Sequence, residues 1–386
     1  MTRFRSPIHT AKAGGCNPSS AHSHPNCLVS EPDTTVSQIG ERALLRHLRS
    51  RIPAGVGAQV GVGDDAAAVE TGPLTLVTTD CLVEGVHFLR DWAPARLLGR
   101  KALTVNLSDI AAMAGVPRYA TVSLCLPGET PLSFVDGLYD GLLERAAETG
   151  VAIVGGNVTA SLAGTSIDVT LLGQGAKLLL RSGAQAGDLA VVTGSLGAAA
   201  EGLRLLVQGA RLDHDGFLAQ TGPWTESSAA ALAHCLRSLL DPNPPLAFAR
   251  ALAEQDIAHA AMDISDGLSG DMLTMCEQSQ CMGLLEAEAL PIDASMASLE
   301  RARGGDAFSV ALHGGEDYQL LLAVPPGKLE ALRDVAVIWD LPTTAVGEFV
   351  AGPATLMLRK DGRRTPILPQ AFDHFRSHRE APGSGP

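Results

Sequence analysis

Acidic side chains recur along this chain in short segments that otherwise consist mainly of small or hydroxyl-bearing residues. These segments are 61–65, 78–80, 106–109, 262–266 and 314–317, and they carry almost no basic residue. Carboxylate and hydroxyl oxygens are hard ligands of the kind that Mg²⁺ prefers, together with waters and substrate phosphates. The chain has no Gly-x-x-x-x-Gly-Lys-Ser/Thr sequence. Phosphate chemistry here would therefore depend on metal ions rather than on a P-loop lysine.

The aspartates in these segments are more informative together than singly. Each alone has an ordinary explanation, because Asp commonly caps the N-terminus of a helix. Several carboxylates in one pocket would repel one another unless metal ions neutralised them. Phosphoryl transfer with two or three metal ions would supply that neutralisation. We therefore expect Asp65, Asp80, Asp109 and Asp263 to converge on one site.

Three further residues could belong to the same site, and each also has a plain structural interpretation. His87 follows Asp80 by seven residues, which keeps it near the pocket unless it is a core histidine. Glu316 follows two glycines that would let the backbone approach a ligand closely, although a turn with a solvated carboxylate has the same pattern. Arg181 follows an apolar run and could be a phosphate clamp or an ordinary surface arginine.

Composition and charge exclude several classes of function. The chain has 386 residues, 46% of them apolar, and a net charge of −13. An acidic chain without a Lys/Arg run and with 4% aromatic residues is not typical of a nucleic-acid binder. No apolar run approaches the length of a membrane helix, and no apolar stretch follows the N-terminal arginines as a secretory signal would require. We expect a cytoplasmic protein without a membrane partner.

The cysteines agree with a reducing compartment. There are 7, without a Cys-x-x-Cys pair, a pattern typical of free thiols. Cys16, His22, His24 and Cys27 could in principle hold zinc. Their segment is rich in Ser, Pro, Asn and Ala and has no hydrophobic periodicity, which favours a disordered extension over residues 1–36.

The acidic segments of the first half must be positioned by alternating strands and helices. Apolar periodicity predicts helices over 39–48, 95–115 and 131–149, and strands over 74–79, 119–126, 152–155 and 166–172. The first of these strands would be buried and would deliver Asp80 at its carboxyl end. On the helix over 95–115, Asn106 and Asp109 lie three residues apart and so share a surface. This alternation predicts an α/β or α+β domain over 37–177.

A second α+β domain is predicted over 178–375, with a flexible tail over 376–386. It begins with a strand over 189–193, a Gly-rich turn over 194–197 and a helix over 198–208, an arrangement that can bind anions. The stretch 210–245 has a helical pattern, and Asp263 and Asp266 fall in a loop before a helix over 267–281. A strand over 318–324 follows the Glu316 loop.

Five motifs together resemble the thiamine-monophosphate kinase family. They are GVGDDA at 61–66, TDCLVEGVHF at 79–88, KALTVNLSDIAAM at 101–113, MDISDGL at 262–268 and GGEDY at 314–318. Their order and spacing match from about residue 37 to 375. The resemblance implies the two-domain aminoimidazole-ribonucleotide-synthetase-like fold, with N-terminal domains of two subunits pairing through their sheets into a homodimer.

The resemblance also implies an activity and a set of ligands. ATP would phosphorylate thiamine monophosphate to thiamine diphosphate by direct in-line transfer. The residues implied to hold Mg²⁺ are Asp65, Thr78, Thr79, Asp80, Asp109, Asn157, Asp263 and Asp266. The residues implied to contact ATP are Gly156, Asn157, Arg181 and Ser265, and those implied to contact the thiamine moiety are His87, Glu316 and Phe372. Two polyanionic substrates need metal ions and alignment more than a nucleophile.

Two positions depart from the family pattern. Asn157 stands where Gly-Gly-Asp is usual, which keeps a ligand oxygen but removes a negative charge from a metal site. Phe372 stands where an indole is often seen, and a phenyl ring stacks less strongly on a cation. Two alternatives therefore stay open: another ATP-using enzyme of the same superfamily, and a non-catalytic paralogue that binds nucleotide or thiamine phosphate.

Overall fold

The computed structural model describes residues 34–53, 58–60, 67–72 and 74–370. Asp65, Phe372, the four candidate zinc ligands and the predicted tail lie outside these residues. Of the predicted extension, residues 34–36 are described, and Val36 N donates to Thr130 O at 2.9 Å. Within the described ranges, no helix combines the length and apolar character needed to cross a membrane.

The first half of the chain folds around a four-stranded sheet. Its elements are α1 (Val36–Ile39), α2 (Glu41–Arg51), β1 (Ala58–Val60), β2 (Ala68–Val69), β3 (Thr75–Val83), α3 (Ala95–Ala112), β4 (Val116–Leu126), α4 (Leu132–Thr149), β5 (Ala152–Ala160) and β6 (Ser166–Gln174). The strand order is β3-β6-β4-β5, with β4 and β5 parallel and the other neighbours antiparallel. The predicted helices and strands are present. The helix predicted over 39–48 is interrupted at Gly40, whose φ is +74°.

Two predictions for the strand that contains Asp80 were wrong. The strand runs on to Val83, so Asp80 lies inside β3 rather than at its carboxyl end. The strand is also not buried throughout, because its side chains alternate between two faces. Thr78, Asp80 and Leu82 lie on one face, and Val77 on the other is 67% exposed.

Helices α3 and α4 cover one face of this sheet. Leu98, Leu103 and Leu107 of α3 are fully or almost fully buried in the same cluster as Ile167, Val169 and Leu171 of β6. Burial of alternate β6 residues follows from this one-sided cover, since successive strand side chains point to opposite faces. The covered face is the one that carries Asp80.

The second half of the chain is built on a seven-stranded sheet. Its elements are β7 (Leu189–Thr193), α5 (Ala198–Val207), β8 (Ala210–Leu212), β9 (Leu218–Thr221), α6 (Ala229–Leu240), α7 (Leu246–Glu254), β10 (Ala260–Ile264), α8 (Leu268–Ser279), β11 (Met282–Glu286), α9 (Ala294–Arg303), α10 (Ala307–His313), β12 (Gln319–Val324), α11 (Leu329–Ile338), β13 (Thr343–Val350), β14 (Leu356–Lys360) and β15 (Arg363–Pro366). The strand order is β10-β12-β7-β13-β11-β14-β15. Apolar clusters lie on both faces, one including α5, α6 and α8 and the other α7 and α11.

Two predictions for this half were wrong. The stretch 210–245 is not wholly helical, because a β8–β9 hairpin precedes α6. Its turn is built by Asp213, whose side chain accepts hydrogen bonds from the backbone of Asp215 and Phe217, a local bond that competes with helix formation. Asp263 is not in a loop: it belongs to β10, where it pairs with Leu320 of β12.

Buried ion pairs join the two halves. Asp241, just after α6, accepts hydrogen bonds from Arg100 of α3 at 2.8 Å and from Arg145 of α4 at 2.6 Å. The side chains of both arginines are at most 10% exposed. Ala112, at the end of α3, packs in the α7–α11 cluster of the second half. These contacts fix α3 against both sheets.

Candidate functional site

A cavity of about 780 Å³ lies between the two halves. Its lining comes from β3, the 85–93 loop, α3, α5, the end of β10 and the loop before β12. Five of its acidic side chains are Asp80, Asp109, Asp263, Asp266 and Glu316. These side chains come from four segments, two in each half. They can therefore meet only if the two halves are held together, which the packing of α3 against both sheets does.

Asp80 and Asp109 meet across β3 and α3. Thr78 Oγ1 donates a hydrogen bond to Asp109 Oδ2, which ties the strand to the helix. Burial raises the pKa of Asp80 to about 6, and the negative charges of Asp109, Asp263 and Asp168 add to the rise. Like charges therefore oppose one another here, as the sequence predicts for a site without its counter-ions.

Asp263 is the most buried of these carboxylates. Its side chain lies at the end of β10, and the residue is 3% exposed. Ser108 of α3 donates to Oδ2 at 2.7 Å, whereas Oδ1 is buried and has no hydrogen-bond partner within the described part of the chain. Burial, with Asp109 as the next cause, raises the pKa of Asp263 to about 6.

This arrangement fits a divalent metal ion. The available donors are carboxylate and hydroxyl oxygens, which suit Mg²⁺. A buried carboxylate oxygen without a partner is costly, and a bound cation would remove that cost. Thr78, Asp80, Asp109 and Asp263 could hold such an ion, and Asp266 lines the same cavity.

The loop that carries Ser265 and Asp266 is held by a residue that the sequence motifs do not single out. Asp271, in the first turn of α8, accepts hydrogen bonds from Asp266 N at 3.2 Å and Gly267 N at 3.1 Å. Burial raises the pKa of Asp271 to about 8, with Asp263 and Asp266 contributing. Gly267 has a φ of +110°, and a Cβ there would lie 2.6 Å from His313 O. The spacing Asp-Gly-x-x-x-Asp at a helix start is the signal that could have identified Asp271.

Glu316 lies on the opposite side of this loop and pairs with a buried lysine. Glu316 N donates to Ser265 O at 2.7 Å, and its Oε2 accepts a hydrogen bond from Lys101 Nζ at 2.5 Å. Lys101 belongs to one of the motifs, but the motif alone indicates no role for it. No signal in the sequence pairs it with Glu316, because the two residues are 215 positions apart.

Asp317 is directed away from the cavity. Its carboxylate accepts from Gly197 N at 2.9 and 3.1 Å, at the N-terminus of α5. The Gly-rich turn over 194–197 therefore has an internal carboxylate at the position where its pattern suggests an external anion. Burial raises the pKa of Asp317 to about 7.

His87 lines the cavity, as its spacing from Asp80 predicts. Its Nδ1 accepts a hydrogen bond from Val83 N at 3.0 Å. Glu84 fixes the same loop, because its carboxylate accepts from Arg90 Nε and from Thr165 N, both at 2.8 Å.

Other predicted residues lie elsewhere on the sheet. Thr79 points away from Asp80, and its hydroxyl lies 3.2 Å from that of Thr170. Asn157 lies on the edge strand β5 opposite Ser123, in the row that also contains Asp168 and Cys81. Residues opposite in register share a face, so Thr79 and Asn157 occupy the face that α3 and α4 leave uncovered.

Gly156 and Arg181 complete the predicted set. A Cβ on Gly156 would lie 2.1 Å from Val122 O, so the close approach of β4 and β5 requires glycine there. Arg181 begins a short 3-10 turn after Leu180, and its charge acts to lower the pKa of Asp263. Arg181 itself is exposed, and neither it nor Gly156 is among the residues that line the cavity.

Comparison with known proteins finds a family model that matches each half and relatives that match most of the chain. Residues 63–175 match the family model described as AIR synthase related protein, N-terminal domain, and residues 185–358 match its C-terminal domain. The thiamine-monophosphate kinase of Rhodopirellula baltica is 30% identical over 86% of this chain and 97% of its own. The thiamine-monophosphate kinase of Aquifex aeolicus is 31% identical over 88% of this chain and 99% of its own.

Solved structures agree. A crystal structure of thiamine-monophosphate kinase from Stenotrophomonas maltophilia is 33% identical, covers 83% of this chain and 96% of its own, and gives a TM-score of 0.71. A structure described as AaThiL complexed with AMPPCP and TMP is 30% identical. It covers 88% of this chain and 98% of its own, and its TM-score is 0.68. The hydrogenase maturation protein HypE, at 18% identity and a TM-score of 0.64, shares the fold.

Proposed function

Because this chain belongs to the thiamine-monophosphate kinase family, we propose that it transfers the γ-phosphoryl group of ATP to thiamine monophosphate, giving ADP and thiamine diphosphate. The observation that carries the proposal is the meeting of Asp80, Asp109 and Asp263 in one cavity between the halves. A relative of 30% identity with an ATP analogue and TMP bound supports both substrates.

The proposed chemistry is direct, in-line transfer between two phosphate groups. Bound Mg²⁺ would neutralise the phosphate oxygens and align the reactants. Thr78, Asp80, Asp109, Asp263 and Asp266 are the described residues proposed to hold it, and Asp65 joins them on the resemblance.

The protein's own residues would then act by positioning. Ser108 and Thr78 orient the Asp263 and Asp109 carboxylates through their hydroxyls. His87 and Glu316, on the cavity wall, would contact the thiamine moiety, and Phe372 is assigned to it on the resemblance. Holding reactants in line can supply about 7–11 kcal/mol of the barrier reduction, which a site without a protein nucleophile requires.

ATP would contact Gly156, Asn157, Arg181 and Ser265. Thr79, assigned to Mg²⁺ on the resemblance, and Asn157, assigned to Mg²⁺ and ATP, lie on the uncovered sheet face. Ligands bound there would need a second layer over that face. On the resemblance, we propose a homodimer paired through this face, which carries the 67% exposed Val77. Light scattering should then give twice the mass of 40.0 kDa, and Val77→Glu should shift it toward the monomer.

The remaining predictions form part of the same proposal. The chain would divide into domains over 37–177 and 178–375, flanked by the extension and the tail. A cytoplasmic location is supported by the free thiols of Cys81, Cys125, Cys235, Cys276 and Cys281.

A coupled ADP-release assay tests the activity. We expect ADP to appear with ATP, Mg²⁺ and thiamine monophosphate together, and mass spectrometry to identify thiamine diphosphate. Omitting Mg²⁺ or replacing thiamine monophosphate by thiamine should reduce the rate to background. ADP release that is independent of thiamine monophosphate would contradict the proposal.

A further inference from the structure

Lys101 is buried at the wall of the catalytic cavity. Its side chain is 4% exposed, although lysine is among the residues least often buried, because its ammonium group loses water. The cavity around it also contains Asp80, Asp109 and Asp263. The ammonium group nevertheless pairs with Glu316, at 2.5 Å, across the junction of the two halves.

The position of Lys101 on α3 explains why this pair matters to the site. Lys101, Val105 and Asp109 are spaced by four residues, so they form one stripe of the helix, and all three line the cavity. Ser108, next to this stripe, binds Asp263 at 2.7 Å. One helix therefore sets the position of the acidic cluster and of Glu316 at the same time.

Glu316 is held at both its backbone and its side chain. Its φ is +66°, and its N–H donates to Ser265 O at 2.7 Å. A Cβ on the preceding Gly315 would lie 2.5 Å from that same carbonyl, so the loop is closely packed. Lys101 binds Oε2, and Glu316, which lines the cavity, has a second carboxylate oxygen that can accept a hydrogen bond.

We infer that Lys101 is a positioning residue for substrate recognition: it fixes the orientation of the Glu316 side chain, so that the carboxylate can accept a hydrogen bond from an N–H group on the organic part of the phosphate acceptor. The inference rests on the proposed function. It assigns Lys101 no contact with ATP or with the transferred phosphoryl group. Lys101 thus contributes to the choice of acceptor rather than to the chemical step.

Steady-state kinetics of Lys101→Met, Glu316→Gln and the double variant test this inference. Lys101→Met keeps an unbranched apolar side chain, one atom shorter, and removes the charge. We expect both single variants to raise KM for thiamine monophosphate about tenfold, with KM for ATP changed by less than about twofold. Lys177→Met is the matched control, because it removes an exposed pair with Asp256 and neither residue lines the cavity, and it should leave all constants unchanged.

The double variant gives the decisive comparison. Since Lys101 acts through Glu316, Lys101→Met/Glu316→Gln should have the same KM for thiamine monophosphate as Glu316→Gln alone. It removes both charges, so it also serves if Lys101→Met alone fails to fold. An additive loss, an equal rise in KM for ATP, or a fall in kcat with KM unchanged would overturn the inference and indicate a direct phosphate contact.

Failure of this inference can be told from failure of the proposed function. Wild-type protein that does not phosphorylate thiamine monophosphate would contradict the proposed function. Wild-type protein that does so, while Lys101→Met has wild-type constants, would overturn only the role of Lys101.

Discussion

At the Asp263 carboxyl, burial and the neighbouring charge of Asp109 act against ionisation and raise the pKa to about 6. Ser108 satisfies one oxygen, and the other is buried without a partner in the described part of the chain. A carboxylate in this position destabilises the metal-free fold at neutral pH. A bound cation would explain why an aspartate is present at this position, because the carboxylate would then serve as a metal ligand.

The pH dependence of stability follows from the sign of this shift. The folded-state pKa, about 6, lies above the ordinary value of 3.8, so the folded state binds the proton more tightly than the unfolded chain. The free energy of unfolding of the metal-free protein should therefore rise as the pH falls from about 6 to about 4. Protonation of Asp263 would contribute up to about 3 kcal/mol to this rise. Asp263→Asn should lack this gain.

Urea unfolding in EDTA, at pH 7.5 and pH 5, measures the effect. The variant should be more stable than the wild type at pH 7.5 and should approach it at pH 5, because the wild-type carboxyl is then mostly protonated. Mg²⁺ should stabilise the wild type more than the variant. An Asp263→Asn protein that loses stability equally at both pH values would contradict this account.

Two loops and one helix convert these residues into a site. α3 supplies Lys101, Ser108 and Asp109, while the loops over 265–267 and 314–318 are fixed to each other by backbone contact between Glu316 and Ser265. Asp271 closes the first loop from within α8. The active geometry therefore depends on close backbone packing at Gly267.

Replacing Gly267 by alanine tests that packing. The φ of +110° and a Cβ 2.6 Å from His313 O combine backbone strain with a backbone clash. We expect Gly267→Ala to cost about 2 kcal/mol or more and to reduce kcat strongly. Gly304→Ala is the control, because Gly304 has a φ of +75° but a Cβ added there would meet no heavy atom within 4 Å.

Thermal unfolding and kcat of both variants give the comparison. Gly304→Ala should cost about 1 kcal/mol, the usual strain of a left-handed residue, and should keep full activity. Equal losses of stability and activity in the two variants would mean that the loop contact has no special role.

The sequence predicts most elements of the fold but not how their side chains pair. Apolar periodicity locates α4 and the strands of the first sheet, because each has one buried face, and a long apolar pattern locates α3, which is buried on almost all sides. It misplaces Asp80 and Asp263, since both lie in strands that continue past the acidic residue, β3 to Val83 and β10 to Ile264. Lys101 and Asp271 are missed because their partners are set by tertiary packing. Asp65 and Phe372 stay predictions.

At the scale of the molecule, catalytic groups from both halves must be held in fixed relation. Asp241 does this by binding Arg100 and Arg145 in a buried junction. Both arginines also pair with Glu148, so removing the Asp241 charge would weaken the cluster without leaving either arginine unpaired. The junction is therefore coupled to the cavity through α3.

Asp241→Asn should destabilise the protein by about 2 kcal/mol and lower kcat, because the charge-assisted hydrogen bonds that hold α3 and α4 to the second half are weakened. Urea unfolding and the ADP-release assay measure the two effects. Asp256→Asn, which removes a surface pair with Lys177, should change stability by less than about 1 kcal/mol. Full activity in a destabilised Asp241→Asn protein would show that the junction stabilises the fold without positioning the site.

The anomalous difference map of a crystal grown with Mn²⁺, a non-hydrolysable ATP analogue and thiamine monophosphate tests the central claim most directly. Manganese accepts the same oxygen ligands as magnesium and scatters anomalously. The account predicts peaks within ligand distance of Asp80, Asp109 and Asp263, between the phosphate groups of the two bound reactants. A map with both reactants bound and no peak at these carboxylates would contradict it.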